Sequence, residues 1–192
     1  MRYTVFCGSH DGNDPALIEG ARELGAEMAR RGIGLVYGGS RLGVMGAVAA
    51  GALDGGGEVI GVIPGALARR EVAHDGLTEL RVVGSMHERK AMMADLSDGF
   101  IALPGGMGTL DEFFESLTWA QLGVHPNPCG LLNLGGYWDR LLALLDQLVE
   151  RGFARPEHRD MVIVEARPAA LLDRFAVYRP PPGGRWVRPS ER

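Results

Sequence analysis

Two short stretches hold the residues whose types and spacing could do chemistry. In "LPGGMGTLDEFFE" (103–115) an apolar run ends in Pro-Gly-Gly, crosses Gly108 and Thr109, and enters a helix carrying Glu112. In "SMHERKAMMADLSD" (85–98) Arg89 and Lys90 fall in the first turns of a second expected helix, with Ser85 and Glu88 spaced as its capping box. Glycines ahead of a helix let main-chain N–H groups close on an anion, and the helix dipole favours phosphate there. Glu112 beside such an anion could do chemistry. The same Thr109–Glu112 spacing, T-x-x-E, is also a capping box that would need no function. Arg89 and Lys90 stand where the dipole opposes cations, which points towards an anion-facing role, although a solvated charged face also produces adjacent charges.

A second glycine loop, "GGSRLGVMG" (38–46), contains Gly39 and likewise leads from a strand into a helix. Tight strand-to-helix turns would also account for its glycines. Neither loop has the Gly-Lys-Ser/Thr of a P-loop, and neither strictly matches G-x-G-x-x-G at the first strand. Ser9, after the first strand, is placed either to donate to a ligand or to cap the turn. His74, His87 and His125 lack the mutual spacing of a metal site, and Met86, Met92 and Met93 suit core or pocket lining.

The elements that must position these residues follow from periodicity. Apolar runs at 3–7, 34–38, 58–63, 79–83, 99–103, 129–134 and 161–165 read as strands. Helical patterns lie near 15–31, 43–54, 86–97, 109–122, 137–151 and 168–175. Alternation of this kind predicts an α/β protein with a parallel sheet covered by helices on both faces. The strands read as apolar throughout, as expected when both faces are buried. Ligands of open parallel sheets bind at the strands' carboxyl ends. That rule would gather "GSHDG", "GGSRLGVMG", "PGALARRE" and "PGGMGT" along one edge.

Composition narrows the classes. A chain of 192 residues with 46% hydrophobic and 23% charged residues reads as one domain, residues 1–178, followed by a Pro/Gly/Arg-rich flexible tail at 179–192. The net charge of −4 makes no electrostatic case for nucleic acid or an anionic membrane. Cys7 and Cys129 suit buried free thiols. The N-terminus has no signal-peptide run and nothing approaches a membrane span, so a cytoplasmic protein is expected.

The pairing of "MHERKAMM" (86–93) with "PGGMGTLDE" (104–112) resembles the signature of the LONELY GUY (LOG) family, an R-K pair followed by P-G-G-x-G-T-x-x-E. "FCGS", "LVYGG" with "GVMG", "GVIP", "RRE", "TWAQLG" and "GLLN…GYWD" extend the similarity over about residues 3–175. The resemblance implies a Rossmann-like, doubly wound, mostly parallel sheet of about seven strands and an enzyme that needs no cofactor. Its substrates would be N6-substituted adenosine 5′-monophosphates, cleaved at the N-glycosidic bond to free base and ribose 5-phosphate, and it would work as a homodimer with pockets near the interface. By motif, Arg89 and Glu112 would be the catalytic pair. Substrate contacts would come from Lys90, Gly105, Gly106, Met107, Gly108, Thr109, Leu110, Asp111, Thr118 and Glu71, the last also a candidate for proton transfer. Met107 stands where the family frequently has tyrosine, and "SHDG" replaces a more serine-rich loop.

Two other readings compete. The same fold and phosphate loop carry molybdenum cofactor in related carrier proteins, which bind without hydrolysis. Amino-acid decarboxylation, a label the family has carried, needs a Schiff-base lysine for pyridoxal phosphate in a chain with very few lysines.

Overall fold

The computed structural model describes residues 1–68 and 73–181. Glu71 and residues 182–192 of the expected tail lie outside them. The elements, in chain order, are β1 (Arg2–Phe6), α1 (Pro15–Arg30), β2 (Gly34–Tyr37), α2 (Gly43–Asp54), β3 (Val59–Pro64), α3 (Gly65–Ala68), β4 (Glu79–Val83) and α4 (Met86–Asp95). They continue with β5 (Phe100–Ala102), α5 (Met107–Gln121), β6 (Cys129–Leu132), a 3₁₀ turn (Leu134–Gly136), α6 (Asp139–Glu150), α7 (Pro156–Asp160), β7 (Val162–Glu165) and α8 (Pro168–Val177). The seven strands form one parallel sheet in the order β4-β3-β2-β1-β5-β6-β7. This is the expected Rossmann-like α/β fold.

The order grows outwards from β1 in both directions. Thr4 of β1 pairs with Val36 of β2 on one side and Phe100 of β5 on the other. Strand order therefore reverses between β1 and β5, and the crevice of such a sheet opens there, beyond the strands' carboxyl ends.

Strand side chains alternate between two cores. Val5, Leu35, Tyr37 and Ile101 join Leu24 and Met28 of α1, Val48 of α2 and Phe175 of α8 on one face. Phe6, Val36, Phe100 and Leu131 join Met93 of α4, Phe113 of α5 and Trp138 on the other. β4 departs from the expected two-sided burial: Glu79, Leu80 and Val82 are exposed, because β4 is the sheet's edge and has a neighbour on one side only. α3 and α7 escape periodicity because four and five residues are too short to display it.

α1 starts where Asp14 accepts a hydrogen bond from the Ala16 amide and Pro15 pre-sets the first turn. It packs against α2 at backbone distance. A Cβ on Gly25 would collide with the Val48 carbonyl, and one on Gly51 with the Arg22 carbonyl. Both obstacles are main chain and cannot swing aside. Gly51→Ala is expected to lower unfolding free energy by about 2–3 kcal/mol, the upper range for overpacking, as urea denaturation will measure. A neutral result would mean the helices can slide apart at no cost.

Candidate active site

The loop leaving β1 is fastened on both sides. The Gly8 amide donates to the Pro104 carbonyl at 3.1 Å, and the Met45 amide, from the first turn of α2, donates to the Gly8 carbonyl at 3.1 Å. A Cβ on Gly8 would sit 3.3 Å from the Gly105 Cα, so the loops after β1 and β5 touch at the base of the crevice.

α5 begins at Met107 with Gly106 as its N-cap and no side-chain cap. Thr109 is therefore the third helical residue, and the capping box that T-x-x-E suggested does not form. The helix starts two residues earlier than the apolar pattern indicates, so Thr109 and Glu112 are successive residues of one helix face, both turned into the crevice. The first intrahelical bond runs from the Leu110 amide to the Gly106 carbonyl, so the amides before it precede the intrahelical ladder. Gly105 is demanded by packing, because a Cβ there would strike Thr109 Oγ1 and lie 2.8 Å from the Gly8 amide nitrogen. At Gly106 and Gly108 a Cβ would meet nothing within 4 Å. No packing among the described residues requires glycine at those two positions; a methyl group there would project into open space.

Arg89 reaches the same crevice from α4. Ser85 caps α4 by accepting from the Glu88 amide, while Glu88 accepts from the Gly84 amide rather than completing a box on Ser85. Arg89 is 4% and Glu112 5% exposed, and Arg89 Nη2 stands 3.6 Å from Glu112 Oε1. That is an ion pair but longer than a hydrogen bond. Arg89 Nε has no hydrogen-bond partner among the described residues. Gly38 makes the room, since a Cβ there would collide with Arg89 Nη2. Burial pushes the Glu112 carboxyl above the ordinary carboxylate range, and the Arg89 charge only partly offsets it. Both residues line the crevice, and among the described residues no hydrogen bond reaches the Glu112 carboxylate.

The crevice encloses about 450 Å³. Of the residues singled out in the sequence, Cys7, Ser9, Met86, Arg89, Gly105, Gly106, Gly108, Thr109 and Glu112 line it. Others lie elsewhere. Met107 is 84% exposed beside it. Gly39, at φ +78°, packs against Ile63 and Leu80 behind the end of β2. Leu110, Asp111 and Thr118 line a separate open groove on α5 with Phe114, Glu115 and Trp119. Lys90 bonds there too, to Asp111 at 3.2 Å and Glu115 at 3.0 Å. A helix turns about 100° per residue, so Arg89 and Lys90 cannot share a face.

Of the four loops expected to converge, those after β1 and β5 form the crevice and the one after β2 delivers Val44 and Met45. The loop after β3 supplies no lining residue among the described ones. His10, Asp11 and Tyr137 also line the crevice. Tyr137, on the loop after β6, could have been found by applying the carboxyl-end rule to that strand as well.

A profile of the family described as "Possible lysine decarboxylase" matches residues 45–175. A probable cytokinin riboside 5′-monophosphate phosphoribohydrolase, LOGL5 of Oryza sativa subsp. japonica, is 48% identical over 181 residues, covering 94% of this chain and 74% of that protein. The chain belongs to the LOG family. The cytokinin riboside 5′-monophosphate phosphoribohydrolase LOG3 of Arabidopsis thaliana is 46% identical, covering 93% and 83%. Among solved structures, the molybdenum cofactor carrier protein of Chlamydomonas reinhardtii superposes with a TM-score of 0.69 at 26% identity, covering 92% of this chain and 98% of that one.

In this LOG-family chain, the open space at Gly108 separates folding from binding. Gly108→Ala removes backbone freedom from a helical position and is expected to stabilise the fold by about 0.5 kcal/mol. The added methyl group should weaken phosphate binding at least about tenfold, equivalent to about 1.4 kcal/mol. Thermal unfolding and titration with inorganic phosphate give the two readings, and unchanged binding would argue against an anion site at this helix end.

Proposed function

We propose that this chain hydrolyses the N-glycosidic bond of N6-substituted adenosine 5′-monophosphates to the free base and ribose 5-phosphate. One observation carries the reading: a buried carboxylate and guanidinium, both incompletely hydrogen-bonded among the described residues, share a crevice with a helix N-terminus that has no side-chain cap among them. The amides of Gly106 to Thr109 and the Thr109 hydroxyl would hold the 5′-phosphate. Arg89 would orient the sugar through its planar fork of donors. As the bond from C1′ to the base breaks, its electron pair leaves with the base and positive charge grows on the ribose ring. Glu112 would stabilise that charge and accept a proton from the attacking water, whose oxygen bonds to C1′, while the departing base takes up a proton.

The relatives' names and the site support this reading over two others. In a carrier that binds without hydrolysis, a buried carboxylate near bound phosphate would only weaken affinity. Decarboxylation through pyridoxal phosphate does not fit, because Lys90, the only lysine in the sequence, is paired with two carboxylates outside the crevice. The reading extends to a homodimer in the cytoplasm: the α5 groove holding Leu110, Asp111, Thr118 and Lys90 would lie near a second copy's crevice, and light scattering measures that assembly. Among the described residues, no helix is long and apolar enough to cross a membrane.

Incubation with N6-isopentenyl-AMP and with AMP, followed by assay of free base and ribose 5-phosphate, tests the activity. Glu112→Gln should lower turnover about 10²- to 10⁴-fold without unfolding the protein. Normal turnover by this variant would sink the mechanism. Glu112 must be ionised to act and its pKa is raised, so activity should fall with decreasing pH already above the usual carboxylate range. A pH–rate profile whose acidic limb lies at or below that range would contradict the role.

A further inference from the structure

Tyr137 stands on the loop between β6 and α6 and lines the crevice, and its hydroxyl donates to the Gly105 carbonyl at 2.7 Å. Being 46% exposed, it adds little to stability, since water could replace it on that carbonyl. Yet the turn presenting it is heavily fastened. The Asn133 amide donates to the Glu165 carbonyl, Asn133 Oδ1 accepts from the Trp138 amide at 2.7 Å, and Asn133 Nδ2 donates to Asp139 at 2.7 Å. The Tyr137 ring meets Trp138 edge-on, with centroids 4.7 Å apart.

The carbonyl it holds belongs to the Gly105–Gly106 peptide. A trans peptide is planar, with its C=O and N–H on opposite edges. Fixing the Gly105 oxygen against Tyr137 therefore fixes the direction of the Gly106 N–H. This unit joins two glycines, so no side chain resists its rotation, and a Cβ at Gly106 would face open space. Rotation by half a turn would present a carbonyl oxygen in place of the amide, and the dipole that attracts an anion would repel it.

We propose that Tyr137 is a positioning residue that keeps the Gly105–Gly106 peptide turned with its N–H, rather than its oxygen, available to the phosphate of the substrate. The inference rests on the reading that phosphate binds at the start of α5. It places a determinant of phosphate affinity on a loop outside the P-G-G-x-G-T-x-x-E motif.

The test is Tyr137→Phe, which keeps the ring against Trp138 and removes only the hydroxyl. A net hydrogen bond of about 0.5–1.5 kcal/mol corresponds to about 2- to 13-fold. KM for the nucleoside monophosphate and the dissociation constant of inorganic phosphate should both rise by that factor. Turnover at saturation and the unfolding midpoint should stay unchanged, as should any slow hydrolysis of the matching nucleoside, which lacks the phosphate. Unchanged KM and phosphate affinity would overturn the proposal, as would a fall in kcat alone or an equal loss for nucleoside and nucleotide. Loss of affinity accompanied by a lowered unfolding midpoint would overturn it too, showing a structural role. If the unaltered protein hydrolyses no nucleotide, the proposed function fails, and the phosphate titration of both proteins still decides the role of Tyr137.

Discussion

A charged pair held away from water between α4 and α5 organises this molecule. Arg89 sits near the N-terminus of α4, where the helix dipole opposes a cation, and almost without solvent. An unpaired guanidinium there would be strongly destabilising, and Glu112 answers it from the next helix. Their 3.6 Å separation gives the pair Coulombic compensation without using up its hydrogen bonds. Fold stability alone would favour closing that gap or replacing both groups with apolar ones. Keeping two buried groups underused suits a site whose remaining partners arrive with a ligand.

The rest of the crevice is a set of close backbone approaches that make this pair reachable. Gly38 clears space for the guanidinium, Gly105 lets Thr109 and the loop after β1 crowd together, and Gly8 is fastened to Pro104 and Met45. These glycines answer to packing, whereas Gly106 and Gly108 answer to nothing among the described residues around them. Within one motif, identical residues thus serve two different physical requirements. The carbonyl of Gly105 is claimed from outside the motif by Tyr137, so the loop's electrostatic sense depends on a turn some thirty residues downstream.

The description of the family profile and the names of the relatives point to different chemistries, and one side chain separates them. A Schiff base requires a free amine near the substrate. Lys90 is adjacent to Arg89 in sequence, but the helix turns it to the outer side of α5, where Asp111 and Glu115 hold its ammonium and raise its pKa against the effect of burial. Neighbours in the sequence have become members of different environments.

The apolar runs and their alternation with helical periods determined the seven strands, six of the eight described helices and the crossing of glycine loops at one sheet edge. Those features are local, set by side-chain period and turn chemistry, and a single sequence carries them. The residue types at the crevice, Arg89, Thr109 and Glu112, were legible for the same reason, because motif spacing places them near helix starts. What tertiary structure decided was direction and partnership. It turned T-x-x-E from a cap into two crevice-facing residues, sent Lys90, Asp111 and Thr118 to a groove on the far side of α5, and brought Tyr137 and His10 to the crevice. Exposure of β4 followed from its place at the sheet edge. Which face a residue shows depends on where the helix begins to within one residue and on which strands become neighbours, and both are settled by contacts between segments far apart in the chain.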